Sequence, residues 1–431
     1  MDPFVLIRRL ALPFALRCRV PPDLDVVRSL GQECDPCEVG VEPGGIERIW
    51  QAVEGLYRSG AHPAIQMCIR RNGRVVLHRA LGHATGNGPG DPPDAPREPV
   101  SLDTPFSIFS ASKAVAAMVI HKLDEQGVLH LEDRVCDFVP GFDRHGKAGI
   151  TIRHVLGHRA GIPGLPPDSM DLDVLEQPER LAEILRDTRP QSPPGHRLAY
   201  HPLSGGFVLG EVVRGATGRD IRQVLSEEIC VPLGFHWMRF GVEPEDANAV
   251  ARNALTGLPL PPPLSAMFRR ILGCRHEEAV EMSNDRRFLT SVIPAGNLIT
   301  NADELCALYQ CLLEGGQLAG TRVFEATTVR HATAEQSAGE IDATLLLPAR
   351  YSLGFQLGSQ GLSPFGYDTP RAFGHVGFSN TFSWADPERD IAVALLTSGK
   401  PILCPSVLRL FQVLREIGRV FPKGEPDRVV H

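Results

Sequence analysis

The spacing of hydrophobic positions changes along the chain, and this change predicts where helices and strands lie. Apolar residues recur every three or four positions between Ile46 and Tyr57, which is the spacing of an amphipathic helix. Two β-rich runs, 64–70 and 74–81, flank Asn72-Gly73, a dipeptide favoured in two-residue hairpin turns. The sequence therefore predicts a helix followed by a β-hairpin.

The rest of the pattern predicts helices in the middle of the chain and strands near its C-terminal part. The middle is mostly helical, with Pro and Gly interruptions. Apolar or alternating runs at 351–357, 381–385 and 391–397 indicate strands, and 407–417 indicates an amphipathic helix. We therefore expect an α+β fold, in which one antiparallel sheet is made from N- and C-terminal strands, is flanked by helices and carries an inserted, mostly helical lobe.

These patterns also suggest boundaries along the chain. Residues 1–40 show no clear period, so we expect an N-terminal tail there, one folded domain over 41–420 and a C-terminal tail over 421–431. A cleft between two lobes is a common place for a ligand. The expected lobes are a sheet lobe from 41–104 and about 290–420, and a helical lobe from about 105–290.

Composition excludes several classes of protein. The chain has 431 residues, of which 43% are hydrophobic and 22% charged, as in a globular protein. A net charge of −7 disfavours nucleic acid as a partner, because phosphate binding needs a basic face. Cys34 and Cys37 form a C-x-x-C pair, but no second ligand pair follows at a spacing that suits zinc. We read them as free thiols and expect no metal.

The sequence contains no segment long and apolar enough to span a bilayer. Arg8 and Arg9 precede the short apolar run 10–16, but Arg17 and Arg19 follow at once and no small-residue cleavage site is evident. We expect a cytoplasmic protein without stable membrane insertion. Weak membrane association through this basic and apolar N-terminal segment is the alternative.

Ser110 and Lys113 are the first candidates for chemistry. Residues three apart share one face of a helix, so the Ser110 hydroxyl and the Lys113 amine can meet. The apolar run 114–120 predicts a buried helix, and burial lowers the pKa of a lysine until its amine is useful as a base. In the alternative, Ser110 or Ser112 caps the helix and Lys113 reaches solvent.

Tyr200 is the second candidate. A serine–lysine site needs another proton carrier for the leaving group, and a tyrosine beside the lysine can fill that role. Tyr200 follows the loop segment 193–197 and precedes an apolar helix that starts near Gly205, and site residues concentrate on such loops. The alternative is a loop tyrosine that only packs.

The segment Gly374-His375-Val376-Gly377-Phe378 is the third candidate. Two glycines flank a histidine just before a strand, which lets the backbone approach a ligand closely. The backbone N–H groups of Phe378 and Ser110 could together form an oxyanion hole. The alternative is a turn before a strand with an ordinary polar histidine.

In this order, the motifs S-x-x-K, a loop tyrosine and a K/H-x-G strand resemble the serine β-lactamase and penicillin-binding protein superfamily. The likeness is closest to its class C branch and the related family VIII carboxylesterases. Residues 150–161 resemble the family pattern "ITIRHLLTHTSG", 194–200 resemble "PGxxFxYS" and 294–303 resemble "PAGGLxSTAxD". The resemblance covers about residues 41 to 420.

The resemblance implies the β-lactamase-like fold, with 41–420 as the catalytic domain, and no cofactor. It also assigns roles to six residues of the expected site. These are Ser110 as nucleophile, Lys113 and Tyr200 as the base and acid pair, His375 and Gly377 in the substrate-binding strand, and Ser110 and Phe378 as oxyanion donors.

Two departures from the family pattern bear on the substrate. The family's Tyr-x-Asn is Tyr200-His201-Pro202 here, so an amide that helps to hold a β-lactam is missing. The family's Lys-x-Gly is His375-Val376-Gly377, the form seen in esterases. Both changes favour ester substrates. The chain also has no G-x-S-x-G motif, which excludes an α/β-hydrolase nucleophile.

We therefore expect a serine hydrolase, a carboxylesterase that forms a covalent acyl-serine on a small-molecule ester. An acyltransferase that moves the acyl group to a small metabolite is the alternative, and a β-lactamase or D-amino-acid peptidase is less favoured. A non-catalytic binding protein on the same scaffold is the alternative of another class. The sequence leaves the oligomeric state open.

Four other histidines could take part in chemistry. His154 and His158 could face a metal, but an H-E-x-x-H site needs a glutamate where Val155 stands, so we expect them to pack. His196 and His201 lie on either side of the loop tyrosine, where a proton relay or ordinary loop polarity are both conceivable.

The segment 259–268 combines a proline run with apolar residues. It is a candidate lid or substrate-facing loop for hydrophobic substrates. The alternative is an ordinary packed connection.

Overall fold

The computed structural model describes residues 15–166, 171–337 and 339–424. Its strands are short outside one main sheet, and all are numbered here in chain order. They are β1 (Arg28–Leu30), β2 (Ala64–Arg71), β3 (Arg74–Thr85), β4 (Glu98–Pro99), β5 (Phe106–Ser107), β6 (Arg239–Phe240), β7 (Leu298–Thr300), β8 (Gln317–Leu318), β9 (Thr321–Arg322), β10 (Glu340–Ile341), β11 (Pro348–Ala349), β12 (Gln356–Leu357), β13 (Leu362–Ser363), β14 (Gly366–Tyr367), β15 (Phe373–Gly377), β16 (Thr381–Asp386) and β17 (Ile391–Thr397).

The helices lie mainly between the two groups of sheet strands. The α-helices are α1 (Gly45–Tyr57), α2 (Ser112–Glu125), α3 (Val135–Phe138), α4 (Ile152–Leu156), α5 (Pro178–Asp187), α6 (Ser204–Thr217), α7 (Ile221–Leu225), α8 (Val231–Leu233), α9 (Leu264–Leu272), α10 (His276–Met282), α11 (Arg286–Thr290), α12 (Ala302–Leu313), α13 (Ala326–Thr333) and α14 (Val407–Val420). Shorter helical turns include the 3-10 turns Asp25–Val27, Pro36–Val39, Phe109–Ala111, Arg144–Gly146, Val174–Glu176 and Ala247–Ala249, and the π-helix Ser226–Cys230.

The main sheet takes its strands from both ends of the chain. Its order is β1-β3-β2-β17-β16-β15-β12, its neighbours are antiparallel, and β4 pairs with β3. The late strand β17 lies beside the early strand β2, in a register that pairs Thr397 with Ile65 and Ile391 with Arg71. This arrangement confirms the predicted α+β fold, with an N- and C-terminal sheet and a mostly helical insertion.

The sheet has an apolar layer on each face. Ile65, Met67 and Ile69 point to the side covered by α1 and α14, whereas Ala64 and Cys68 belong to the core on the other side, which includes α2. This alternation is the two-residue period of a strand. Because helices cover both faces, nearly every residue of β2 and β17 is buried.

The structure differs from the sequence prediction at both expected tails. Arg28–Leu30 lies inside the expected tail 1–40 but pairs with β3 at the edge of the sheet. The sequence does not reveal this strand, because three residues are too few to show a periodicity. Phe421, inside the expected tail 421–431, is fully buried beside α14, and Lys423 forms an ion pair with Asp368 at 2.9 Å. The rest of the two tails, residues 1–14 and 425–431, lies outside the described residues.

No described helix has the length and apolar character needed to cross a bilayer. Within the described ranges, no group of three or more His, Cys, Asp or Glu side chains is arranged to hold a metal ion. The ten cysteines all fall within these ranges and all are free thiols, including Cys34 and Cys37.

Candidate active site

Ser110 lies in a tight turn just before the buried helix α2. The turn spans Phe109–Ala111, and Phe109 has a φ of 49°, an uncommon backbone conformation for a residue with a side chain. The Ser112 hydroxyl donates to the Phe109 carbonyl and accepts the Leu298 N–H at 2.9 Å. These bonds fix the turn. The N-cap position of α2 is Ala111, and neither Ser110 nor Ser112 caps the helix.

Lys113 points into the protein and toward Ser110. Its Nζ lies 3.1 Å from the Ser110 Oγ and 3.0 Å from the carbonyl oxygen of Ala295. The same nitrogen is 4.8 Å from the centre of the Tyr200 ring. The side chain is buried, and this burial lowers the pKa of Lys113 well below its usual value. The alternative in which Lys113 reaches solvent is therefore wrong.

Tyr200 lies on the loop before α6 and is held through its backbone. Its N–H donates to both carboxylate oxygens of Asp342, at 2.9 and 3.2 Å, and its carbonyl accepts the Thr344 hydroxyl at 3.0 Å. Burial raises the pKa of the Tyr200 phenol, a hydrogen bond with Ser110 lowers it, and the charge of Asp342 raises it further. The net shift is upward, so the phenol keeps its proton at neutral pH.

Asp342 and Tyr351 belong to this site but were not found from the sequence. Asp342 is fully buried and also accepts the backbone N–H groups of Thr344 and Leu345, at 2.8 and 2.9 Å. The Tyr351 hydroxyl donates to Asp342 at 3.3 Å, and the Tyr351 ring stacks on that of Tyr200 with an interplanar angle of 14°. The Asp-x-Thr sequence signals a local turn, but no local signal identifies the distant tyrosine that this turn holds.

The histidines near Tyr200 pack against one another. The ring of His158 lies 4.9 Å from that of Tyr200, and its Nδ1 accepts the backbone N–H of His201 at 3.3 Å. Burial lowers the pKa of His201 to about 3. His154 instead accepts the Thr151 N–H at 3.2 Å in the capping box of α4. His154 and His158 thus have separate structural contacts.

His375 lies on β15 and faces the same site. Its ring centre is 6.3 Å from that of Tyr200, and its Nδ1 is 2.9 Å from the Val376 carbonyl oxygen. Burial lowers the pKa of His375 to about 3, and Lys113 adds to this shift. The imidazole is therefore neutral. Since its Nδ1 faces a carbonyl oxygen, it carries the ring proton, and Nε2 presents a lone pair.

Gly377 brings β15 close to the turn that carries Ser110. A Cβ atom at Gly377 would lie 2.2 Å from the carbonyl oxygen of Ile108. The next residue, Phe378, packs its ring 5.4 Å from that of Phe109. The predicted oxyanion residues Ser110 and Phe378 therefore lie on adjoining segments.

Lys400, which the sequence did not single out, lies on the other side of the same turn. Its Nζ is 4.7 Å from the centre of the Phe109 ring and donates to the Thr397 carbonyl at 2.7 Å. Burial lowers the pKa of Lys400 to about 7. The turn before Ser110 is thus packed against a second buried amine.

Comparisons with known proteins bear on the family of this chain. The family described as Beta-lactamase matches residues 49–403. "Esterase/beta-lactamase LipL" of Mycobacterium tuberculosis is 33% identical over an alignment of 318 positions, which covers 69% of this chain and 70% of that protein.

Solved structures share the fold. A penicillin-binding protein homologue from Caulobacter crescentus has 26% identity and a TM-score of 0.73, over 88% of this chain and 99% of that one. A family VIII carboxylesterase has 23% identity and a TM-score of 0.73, over 90% and 99% of the two chains. The predicted resemblance is confirmed, and the chain belongs to the Beta-lactamase family of serine hydrolases.

Proposed function

We propose that the protein is a carboxylesterase that cleaves a small-molecule ester through a covalent acyl-serine intermediate. The observation that carries this proposal is the 3.1 Å contact between the Lys113 Nζ and the Ser110 Oγ, because a buried amine whose pKa is lowered can accept the hydroxyl proton at this distance. We assign Ser110 as the nucleophile and Lys113 as its base.

The first half of the reaction uses the remaining groups of the site. Lys113 takes the Ser110 proton while the Ser110 oxygen bonds to the ester carbon. The backbone N–H groups of Ser110 and Phe378 bind the oxyanion that forms. Tyr200 then gives its phenolic proton to the departing alcohol, and the proton held by Lys113 replaces it.

The second half repeats these transfers with water. Lys113 is neutral again and Tyr200 is protonated, so Lys113 accepts a proton from the water as the water oxygen bonds to the acyl carbon. The tetrahedral intermediate collapses, the Ser110 oxygen leaves and regains a proton, and the free acid departs. The site returns to its starting protonation state, and the sum of the steps is hydrolysis of the ester.

The environment of His375 supports an ester rather than a β-lactam or a peptide with a free carboxylate. A neutral imidazole offers no positive charge to a carboxylate, unlike the lysine of the family pattern. Pro202 likewise supplies no side-chain amide to hold an acylamino group. One relative is an esterase/β-lactamase and one structural neighbour is a carboxylesterase, and both are consistent with this choice.

The test is turnover of short p-nitrophenyl esters by the wild type, Ser110→Ala and Tyr200→Phe. We expect loss of turnover in Ser110→Ala and a decrease of about a hundredfold or more in Tyr200→Phe. A fluorophosphonate probe should label wild-type Ser110. Equal rates in all three proteins, or an unlabelled Ser110 in folded protein, would contradict the proposal.

A further inference from the structure

Three segments that are distant in sequence meet around Gly257. Its backbone exchanges two hydrogen bonds with that of Leu16, at 2.8 and 2.9 Å. The adjacent Leu258 N–H donates to the Leu403 carbonyl at 2.8 Å. We call the region built around these contacts the basic apolar surface. It comprises residues 15–22, 247–276 and 399–411.

The three segments of this surface are basic, although the whole chain has a net charge of −7. They contain no aspartate or glutamate, but Asp246 and Glu277 adjoin the second segment, and Glu277 lines a cavity together with Leu16 and Arg252. Arg275 forms an ion pair with Glu278 of the next helix turn, and the other arginines of the surface make no ion pair with a described residue. All of its arginines are exposed: Arg17, Arg19, Arg252, Arg269, Arg270, Arg275 and Arg409.

The same surface exposes large apolar side chains. Helix α9 has no buried residue, and its apolar positions 264, 267, 268, 271 and 272 form one half-buried stripe beside the exposed Arg269 and Arg270. None of these five side chains belongs to a described core cluster. Leu16, Val407 and Leu408 are 41%, 43% and 57% exposed. Aliphatic side chains among unpaired arginines are typical of helices that bind a lipid interface.

We propose that the basic apolar surface binds a bilayer that contains anionic lipids. Arginines attract the lipid head groups, and the aliphatic side chains enter the acyl boundary. The chain before Leu16 also carries Arg8, Arg9 and a run of apolar residues. Because this segment is also basic, it does not neutralise the charge of the surface arginines. An anionic bilayer attracts both the segment and the surface.

The surface adjoins the proposed active site. The ring of Phe268 on α9 lies 6.2 Å from that of His276, which lies 5.5 Å from that of Phe378. The ring of His276 therefore connects α9 to Phe378, whose backbone N–H is one of the proposed oxyanion donors. If the proposed function holds, this proximity makes esters dissolved in the lipid the expected substrates, but lipid binding itself does not depend on that function.

The experiment is co-sedimentation of the full chain with vesicles of phosphatidylcholine, alone or mixed equally with phosphatidylglycerol. We expect binding to the mixed vesicles only, weakening as salt is added. The double variant Arg269→Glu/Arg270→Glu should bind at least about tenfold more weakly. Its control, Arg330→Glu/Arg371→Glu, changes the charge equally at exposed positions outside the surface and should bind like the wild type.

A second pair of variants tests the apolar component. Val407→Ser/Leu408→Ser should weaken binding several-fold. Val231→Ser/Leu362→Ser removes side chains that are more exposed, 70% and 66%, but lie elsewhere, and should not weaken it. Turnover of soluble esters should be the same in all four variants, so a failure of lipid binding is distinguishable from a failure of the proposed function.

Four results would overturn the proposal. Equal binding to both kinds of vesicle would exclude charge recognition, and equal weakening in each variant and its control would exclude this surface. Complete loss of binding on deletion of residues 2–13, with no effect of Arg269→Glu/Arg270→Glu, would assign binding to the N-terminal segment alone. Failure to bind vesicles, with a dimer in light scattering that Val407→Ser/Leu408→Ser dissociates, would show that a second copy covers the surface.

Discussion

Both carboxylate oxygens of Asp342 accept the backbone N–H of Tyr200, at 2.9 and 3.2 Å, across 142 positions of sequence. The same carboxylate accepts the Tyr351 hydroxyl, whose ring stacks on Tyr200. Asp342 therefore sets the place of the Tyr200 ring without touching the proposed reaction centre. Because effective proton transfer depends on such placement, this contact gives a first prediction.

Asp342→Asn should lower kcat for ester hydrolysis about tenfold to a hundredfold with little change in KM, since an amide NH₂ cannot accept the N–H bonds that the second oxygen receives. Steady-state kinetics and a thermal melt would measure both effects. Tyr351→Phe, which removes one hydroxyl from the same carboxylate, should have a smaller effect. A normal kcat in Asp342→Asn would show that Tyr200 is held by other contacts.

Lys113 should impose an acid limb on the pH profile of kcat/KM. Burial lowers its pKa, so the amine is neutral over a wider pH range than in water. Below that pKa the amine is protonated and cannot accept the Ser110 proton, and activity falls as pH decreases. Lys113→Arg, which stays charged, should lose at least about a thousandfold at every pH. An activity that rises only near the pKa of a free lysine would contradict the assignment.

Gly377→Ala should lower activity more than stability. The added Cβ would lie 2.2 Å from the Ile108 carbonyl oxygen, so β15 and the turn carrying Ser110 must move apart. This movement separates the two proposed oxyanion donors, and the loss of one such donor costs about 2.7–4 kcal/mol of barrier. Gly361→Ala is the control, because a Cβ there meets no atom within 4 Å. Equal kcat in the two variants would argue against the oxyanion assignment.

His375→Lys should change the preference for substrate charge. With its pKa near 3, His375 is neutral at any working pH, so the wild type should favour a neutral ester over its carboxylate-bearing analogue. A lysine there adds a positive charge. It should lower the ratio of kcat/KM for the neutral ester to kcat/KM for its carboxylate analogue about tenfold or more. The measurement is kcat/KM for the matched pair of esters. A wild-type preference for the carboxylate analogue would contradict this interpretation of the site.

Lys400→Met should make the protein more stable at pH 6 than the wild type, by a few kcal/mol. Burial lowers the pKa of Lys400 from 10.5 to about 7, so the folded state binds fewer protons than the unfolded state between these values. Wild-type stability therefore rises with pH across this interval, and the penalty is complete below pH 7. Urea unfolding at pH 6 and pH 9 should show the advantage of the variant shrinking at the higher pH. An equal difference in stability at the two pH values would show that Lys400 affects stability independently of its charge.

Local spacing was enough to predict the contact between Ser110 and Lys113, because Ser110 lies just before the helix and Lys113 lies in its first turn. Tyr200 and His375 were found through motifs that fix the residue types around them. Asp342 and Lys400 were not found, since each acts through a tertiary contact: one with a backbone N–H far away in sequence, the other with the ring of Phe109.

The fold was predictable to a similar extent. The Asn72-Gly73 turn and the apolar run 391–397 marked β2, β3 and β17 correctly. The sequence also predicted that strands from both ends of the chain share one sheet, but it did not predict their order in that sheet. The edge strand Arg28–Leu30 was missed because three residues are too few to show a period, and Leu30 is exposed.

The position of β17 between β2 and β16 has a consequence for synthesis of the protein. During translation, the hairpin of β2 and β3 emerges early, but its inner neighbour is not made until residue 397 has been added. A nascent chain that lacks β17 therefore has no completed sheet, and β15 and β16 have no strand that joins them to β2. Products of premature termination before residue 391 would expose an apolar strand edge, which favours self-association over folding.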